Sequence, residues 1–124
     1  MTFSFTILGC GSSMGVPRPA LGWGACDPAN PRNRRRRVSI LVEQGGTTIL
    51  VDASPDLRQQ LLDAGCDRLD AVLFTHDHAD HSHGIDDLRF VKRPDAGPLP
   101  AYGDAATLAT LARRFDYIFR QNEA

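Results

Sequence analysis

The sequence predicts an α/β domain in which a mixed β-sheet carries flanking helices, and three observations lead there. Short segments that alternate apolar and polar residues, or gather β-branched ones, recur along the chain between glycine-rich turns. Two segments with leucines at helical spacing are interleaved with the later strands. A chain of 124 residues with 42% hydrophobic content is also enough to fill one compact core, so a single domain over residues 1–124 is expected.

The elements follow in order. Phe3, Phe5 and Ile7 alternate with polar residues and run into Gly9-Cys10-Gly11-Ser12-Ser13, which predicts a strand over residues 3–8 ending in a tight loop. Proline and glycine recur from Met14 to Asn33 too often for regular structure, giving a long loop of the kind that often serves function. Residues 38–43 and 47–52 are apolar and β-branched and flank Gln44-Gly45-Gly46, the pattern of an antiparallel hairpin. Ser54 is placed to cap a helix with Pro55 at its first position, Leu57, Leu61 and Leu62 on one face, and Gly65 as its stop. Residues 71–75 form a buried strand leading directly into His76. Residues 99–102 predict a further strand, and Asp104 caps a helix that packs through Leu108, Leu111 and Phe115.

Composition excludes several classes. A net charge of -1 gives no global field toward nucleic acid or an anionic membrane. Cys10, Cys26 and Cys66 are odd in number and widely spaced, which fits reduced thiols rather than a disulfide framework or a zinc knuckle. The first residues lack a positive segment followed by an apolar one, and no apolar run approaches a membrane span. A cytoplasmic protein with no membrane partner is expected.

The chemistry concentrates in His76-Asp77-His78-Ala79-Asp80-His81 at the end of a strand. Imidazole and carboxylate together suit zinc, manganese or iron better than calcium or magnesium. Side-chain direction repeats every two residues in extended backbone, so His76 and His78 project to one side and can share an ion. A turn immediately afterwards would aim Asp80 and His81 at a neighbouring position, and two-metal hydrolytic sites hold their ions roughly 3.5–4 Å apart. His83 reads instead as a surface histidine or one that supports a ligand.

This His-x-His-x-Asp-His pattern after an apolar strand resembles the signature of the metallo-β-lactamase superfamily, and the resemblance extends over essentially the whole chain. It implies the first half of an αββα sandwich. It also implies that His76 and His78 bind one metal, that Asp80 and His81 bind the other, and that both ions are divalent transition metals, zinc or manganese. Asp52 is similar to the family's buried aspartate, whose task is to orient a ligand or loop by hydrogen bonding. Asp80 is the candidate catalytic residue, although a metal-bound carboxylate is a poor base and its role is read as that of a ligand.

A narrower likeness rests on Leu8-Gly9-Cys10-Gly11-Ser12-Ser13, Gly15-Val16-Pro17-Arg18, Pro31-Arg32-Asn33-Arg34-Arg35 and Gly84-Ile85-Asp86-Asp87-Leu88-Arg89. Together these resemble the phosphoribosyl cyclic phosphate phosphodiesterase branch, related to the tRNA 3′-processing endonucleases. Members of that branch often hold a structural zinc with cysteines after the Gly-Val-Pro-Arg segment, where this sequence has Trp23 and Cys26, so that zinc is not expected. The superfamily's sandwich runs to roughly twice this length. The chain is therefore expected to be truncated, with the C-terminal half of the fold and the remaining metal ligands beyond Ala124.

The function expected is metal-dependent hydrolysis of a small phosphodiester or nucleotide-like substrate, with nucleic acid less favoured. Thioester or lactone hydrolysis on the same fold is one alternative, and a catalytically incomplete fragment that binds a metal or a partner is another. A half sandwich exposes apolar surface, so homo-oligomerisation is a further expectation. The run Arg34-Arg35-Arg36-Arg37 could meet phosphate through guanidinium forks, but an internally paired or solvated run is the preferred reading.

Overall fold

A computed structural model of the chain describes residues 2–92 and 96–120. Five strands form one sheet in chain order: β1 (Phe3–Gly9), β2 (Ser39–Gln44), β3 (Thr47–Val51), β4 (Ala71–Leu73) and β5 (Ala101–Tyr102). The first three make an antiparallel meander, while β4 and β5 run parallel to β3, so the sheet is mixed as expected. In the β2–β3 hairpin Gln44 pairs with Thr47, leaving Gly45 and Gly46 as a two-residue turn with φ of 56° and 83°. A turn with two positive φ angles matches the twist of its strands, and glycine adopts it without steric penalty.

Helix α1 (Leu57–Ala64) connects β3 to β4, and here the structure corrects the sequence reading twice. The helix begins at Leu57, because Ser54, Pro55 and Asp56 form a turn ahead of it in which Leu57 N–H donates to Ser54 O at 3.0 Å. Ser54 Oγ accepts from Asp56 N at 3.0 Å and donates to Gln60 Oε1 at 2.8 Å, so it braces the turn instead of occupying the cap position. The buried face of α1 is Leu57, Gln60 and Leu61, whereas Leu62 is 58% exposed. Positions i, i+3 and i+4 share a helical face, and Leu62 stands one residue, about 100°, beyond it. Gln60 replaces it inside at no polar penalty, since its amide Nε2 donates to Arg37 O at 2.8 Å and to Leu8 O at 3.3 Å.

Alternation along the strands divides the sheet into two unlike faces. Leu41, Leu50 and Val72 lie on one face and join Leu57, Leu61, Phe74, Ile85, Leu88 and Leu111 in the core. On the other face the register aligns Phe5 with Val42 and Ile49, and Ile7 with Ile40, Val51 and Leu73. There Phe5 is 63% and Ile7 70% exposed.

Downstream of β4 lie a short helix α2 (Ala79–Ser82), a 3-10 stretch (Ile85–Phe90), helix α3 (Ala105–Arg114) and helix α4 (Asp116–Phe119). Asp104 caps α3 as expected, its carboxylate accepting from Thr107 N at 2.7 Å. Leu111 is fully buried and Leu108 and Phe115 are half-buried, as packing residues should be. Gly84 fixes how closely this region meets α1: a Cβ there would collide with Ser54 O and stand 2.9 Å from Leu57 Cβ. The stretch from Met14 to Asn33 is a loop with one 3-10 turn (Pro31–Asn33), tied back through a Val16–Arg35 bridge.

Candidate metal centre

The site is assembled by the parallel pair β3 and β4. Their register matches Val51 with Leu73, so Asp52 and the residues after Leu73 leave the sheet side by side. Asp52 adopts φ 61°, the left-handed region that an aspartate tolerates better than most L-residues. Its backbone is held there by Asp52 N–H to Leu73 O at 2.8 Å and by Ser39 Oγ, which donates to Asp52 O at 2.8 Å. The turn directs a carboxylate that is 2% exposed beneath the histidine loop.

That carboxylate collects three donors. Thr75 N–H donates to Oδ1 at 2.8 Å, Thr75 Oγ1 donates to Oδ2 at 2.7 Å, and His81 Nδ1 lies 2.7 Å from the same Oδ2. A carboxylate only accepts, so His81 carries a proton on Nδ1, and in the neutral ring Nε2 is the nitrogen with the free lone pair. Thr75 Oγ1 also lies 2.8 Å from His76 Nδ1.

The loop then turns as the spacing requires. His78 is extended (φ −60°, ψ 150°) and α2 begins at the next residue, putting Asp80 in its first turn and His81 in its last. Buried Ser82 closes the loop, its hydroxyl shared between His78 O at 2.9 Å and Asp77 O at 3.1 Å. From outside, Arg114 Nη1 donates to Asp77 O at 2.8 Å.

The four sequence-predicted ligands adjoin one another in pairs, and of them only His76 and His81 fall, among the described residues, in a tight three-donor set. The His76 ring centre is 4.6 Å from that of His78 and 4.2 Å from that of His81, and His81 Nε2 lies 3.4 Å from Asp80 Oδ2. Asp52, His76 and His81 also present donor atoms within 4.8 Å of one another, so by distance alone they form a three-donor set. Both Asp52 oxygens, however, already accept hydrogen bonds from Thr75 or His81, which makes Asp52 better suited to orienting donors than to being one. His83 is exposed and stacks edge-on against Phe115 at 5.5 Å.

Two further features escape a reading of the sequence. There Thr75 is only the end of a strand, although its place directly before His76 is the available signal. Arg37 forms a bidentate pair with Asp56, Nε to Oδ2 at 2.8 Å and Nη2 to Oδ1 at 3.0 Å, beside the site. The hydrogen bonds from Arg37 hold the Asp56 carboxyl below the usual carboxylate range despite the opposing effect of burial. In return Asp56 raises the Arg37 guanidinium, and Asp80 adds a smaller attraction that places this positive charge within the field of the candidate ligands.

Much of the arginine run is internally paired. Arg36 bridges Asp63 at 2.6 Å, Arg35 Nη1 contacts Cys10 Sγ at 3.3 Å, and the Arg34 guanidinium stacks 5.2 Å from the Trp23 ring centre. In the glycine loop Gly11 N–H donates to Arg36 O at 2.7 Å and Gly15 N–H to Ser12 O at 2.9 Å, so those two amides already have partners.

Comparison with known proteins agrees with this geometry. An octanoyltransferase of Porphyromonas gingivalis is 42% identical over 117 residues, which are 94% of this chain and 23% of that protein. A ribonuclease Z of a Bradyrhizobium species is 37% identical over 97 residues, 75% of this chain and 31% of that protein. Among solved structures, a diphosphatase from the PhnP family superposes with a TM-score of 0.89 at 38% identity, over 97% of this chain and 48% of its own. Zinc-bound PqqB from Methylobacterium extorquens gives a TM-score of 0.76 at 28% identity, over 94% and 42% of the two chains. The chain thus spans less than a third of these two curated relatives and less than half of these two solved chains. The family description "Beta-lactamase superfamily domain" matches residues 47–124, the segment that holds Asp52, Thr75 and the histidine loop. The chain therefore belongs to the beta-lactamase superfamily and covers the N-terminal part of its metallo-β-lactamase fold.

Proposed function

We propose that this chain is the metal-binding half of a hydrolase that cleaves phosphodiesters with two divalent cations. The observation that carries the reading is the pairwise adjacency of His76, His78, Asp80 and His81 over the buried Asp52 carboxylate. The donor set fits zinc or manganese: three imidazoles and a carboxylate, with the Nε2 lone pair of the neutral His81 ring left free by the Asp52 hydrogen bond. In this assignment His76 and His78 hold one ion and Asp80 and His81 the other. Such ions, when bound, supply water activation at neutral pH and neutralise charge developing on phosphoryl oxygens.

The chain's own residues do the positioning. Asp52 holds the His81 ring in one orientation, Ser82 fixes the carbonyls of Asp77 and His78, and Arg37 adds a fixed positive charge near Asp80. The ribonuclease Z relative supports a phosphodiester by name, and the PhnP-family diphosphatase supports, by name and by fold, a substrate cleaved at phosphorus. The arginine run supports it less than its composition suggests, since Arg36 and Arg37 already face Asp63 and Asp56. An acyl substrate is the second reading, favoured by the octanoyltransferase relative, a protein of which the shared segment is 23%.

Metal content is the first test. After chelation and reloading with zinc or manganese, the chain should retain metal and a His76→Ala/His78→Ala variant should lose most of it; equal content in both would reject the site. The substrate is decided with the complete protein, loaded with either metal and offered a cyclic phosphate ester, an aryl phosphodiester, a glutathione thioester and a β-lactam. Higher kcat/KM on the thioester or the β-lactam would refute phosphodiester hydrolysis and leave the metal site standing.

A further inference from the structure

We infer that Thr75 is a positioning residue whose hydroxyl fixes the tautomer of His76 and so turns that ring's Nε2 lone pair toward the metal. The argument is one of proton counting. A threonine hydroxyl has one hydrogen to donate and lone pairs with which to accept. Its hydrogen goes to Asp52 Oδ2 at 2.7 Å, because a carboxylate has none to offer in return. The 2.8 Å contact between Thr75 Oγ1 and His76 Nδ1 is then satisfied only if Nδ1 bears the proton and the hydroxyl accepts it. In the neutral ring His76 is then left with an unprotonated Nε2, the form that ligates. Asp52 Oδ2 thus sets two imidazoles at once, His81 directly at 2.7 Å and His76 through one intervening hydroxyl.

Thr75 cannot slide out of this register. Its own N–H is bonded to Asp52 Oδ1 at 2.8 Å, and the preceding Phe74 is anchored in the core with its N–H on Tyr102 O at 2.8 Å. The hydroxyl is therefore held between the carboxylate and the imidazole by backbone bonds at Thr75 itself and at Phe74 before it. Valine has the same shape without the hydroxyl, and serine keeps the hydroxyl without the methyl, so the pair separates hydrogen bonding from packing.

The inference rests on the metal reading proposed above, and its test separates the two. In the metal-free protein at about pH 8, above the ordinary imidazole range, long-range 1H–15N NMR reports which nitrogen of each histidine is protonated. Wild type and Thr75→Ser should show His76 protonated on Nδ1, and Thr75→Val should show it redistributed toward Nε2, with circular dichroism confirming that all three are folded. Zinc affinity, measured by competition with a chromophoric chelator, should fall by roughly 10–100-fold in Thr75→Val and recover in Thr75→Ser. An unchanged His76 tautomer in folded Thr75→Val, or a serine variant as impaired as the valine one, would overturn the inference. A redistributed tautomer with unchanged zinc affinity would overturn it too. If the His76→Ala/His78→Ala variant also kept its zinc, the metal reading would fall with it.

Discussion

Replacing Asp52 tests the central joint of this fold. The Asp52→Ala change removes the acceptor for Thr75 N–H, Thr75 Oγ1 and His81 Nδ1, whose distances lie between 2.7 and 2.8 Å. A hydrogen bond to a charged group contributes about 1.5–3 kcal/mol, but Thr75 is exposed enough to recover water, so its two bonds count at or below the low end. Placing alanine at φ 61° adds about 1 kcal/mol of backbone strain. With the His81 bond at about 1.5 kcal/mol and the two Thr75 bonds at about 0.75 kcal/mol each, the loss including strain is about 4 kcal/mol, a large share of the ~5–15 kcal/mol that stabilises a small domain. With a urea slope near 2 kcal/mol per molar, the midpoint should fall by about 2 M. Asparagine tolerates the same φ and keeps an oxygen for Thr75 N–H, so Asp52→Asn should lose roughly half as much. Urea titrations followed by circular dichroism in the presence of a chelator exclude any contribution from bound metal. The reasoning fails if Asp52→Ala stays within about 1 kcal/mol of wild type, or if asparagine is as damaging as alanine.

Two other perturbations address the surroundings. Leu57 is fully buried and Leu62 is 58% exposed on the same helix, so Leu57→Ala should cost about 3–5 kcal/mol and Leu62→Ala about 0.5 kcal/mol or less by urea denaturation, and similar losses would contradict the assigned helix face. The Asp56 carboxyl is held below its ordinary value by Arg37, so its contribution is fully present above the unfolded pKa of about 4 and disappears as pH falls through the lower folded value. Wild type should therefore exceed Asp56→Asn in stability at pH 7, with the gap closing toward pH 3, and a gap that widens on acidification would refute the pairing.

What the sequence reveals and what it conceals follow from the range of each interaction. The strands, the Gly45-Gly46 turn, the Asp104 cap and the histidine loop are local patterns that survive folding, although β4 and β5 are shorter, at Ala71–Leu73 and Ala101–Tyr102, than the expected 71–75 and 99–102. Periodicity misplaces Leu62 on the buried face of α1 because it equates apolar character with burial. What places Gln60 inside is a set of partners in three different segments, at Leu8, Arg37 and Ser54, that periodicity cannot register. Ser54 reads as a cap since Ser-Pro is a frequent helix start, yet its hydroxyl is held by Gln60 and its carbonyl lies against Gly84. The arginine run offers, from sequence, only a choice between phosphate contact and internal pairing. Asp56 and Asp63, about 20 and 27 residues downstream, decide it for Arg37 and Arg36.

The direction of β4 explains why the site exists at all. Asp52 and His76 are separated by 24 positions and by a complete helix, yet Asp52 is bonded to Thr75, the residue just before His76. An antiparallel β4 would place the C-terminal ends of β3 and β4 at opposite ends of the sheet, and the Asp52 carboxylate would not meet the histidine loop. The α1 crossover makes the two strands parallel, so both chains leave the sheet together, as in other α/β sites built at strand ends. Parallel pairing alone would still let β3 continue past the loop. The left-handed residue at Asp52 breaks the strand there and turns the carboxylate underneath, while Ala53 N–H bonds to His81 O at 2.9 Å and ties the two strand exits together. Crossover, register and one left-handed residue are thus each required, and the histidine motif becomes a site only where all three coincide.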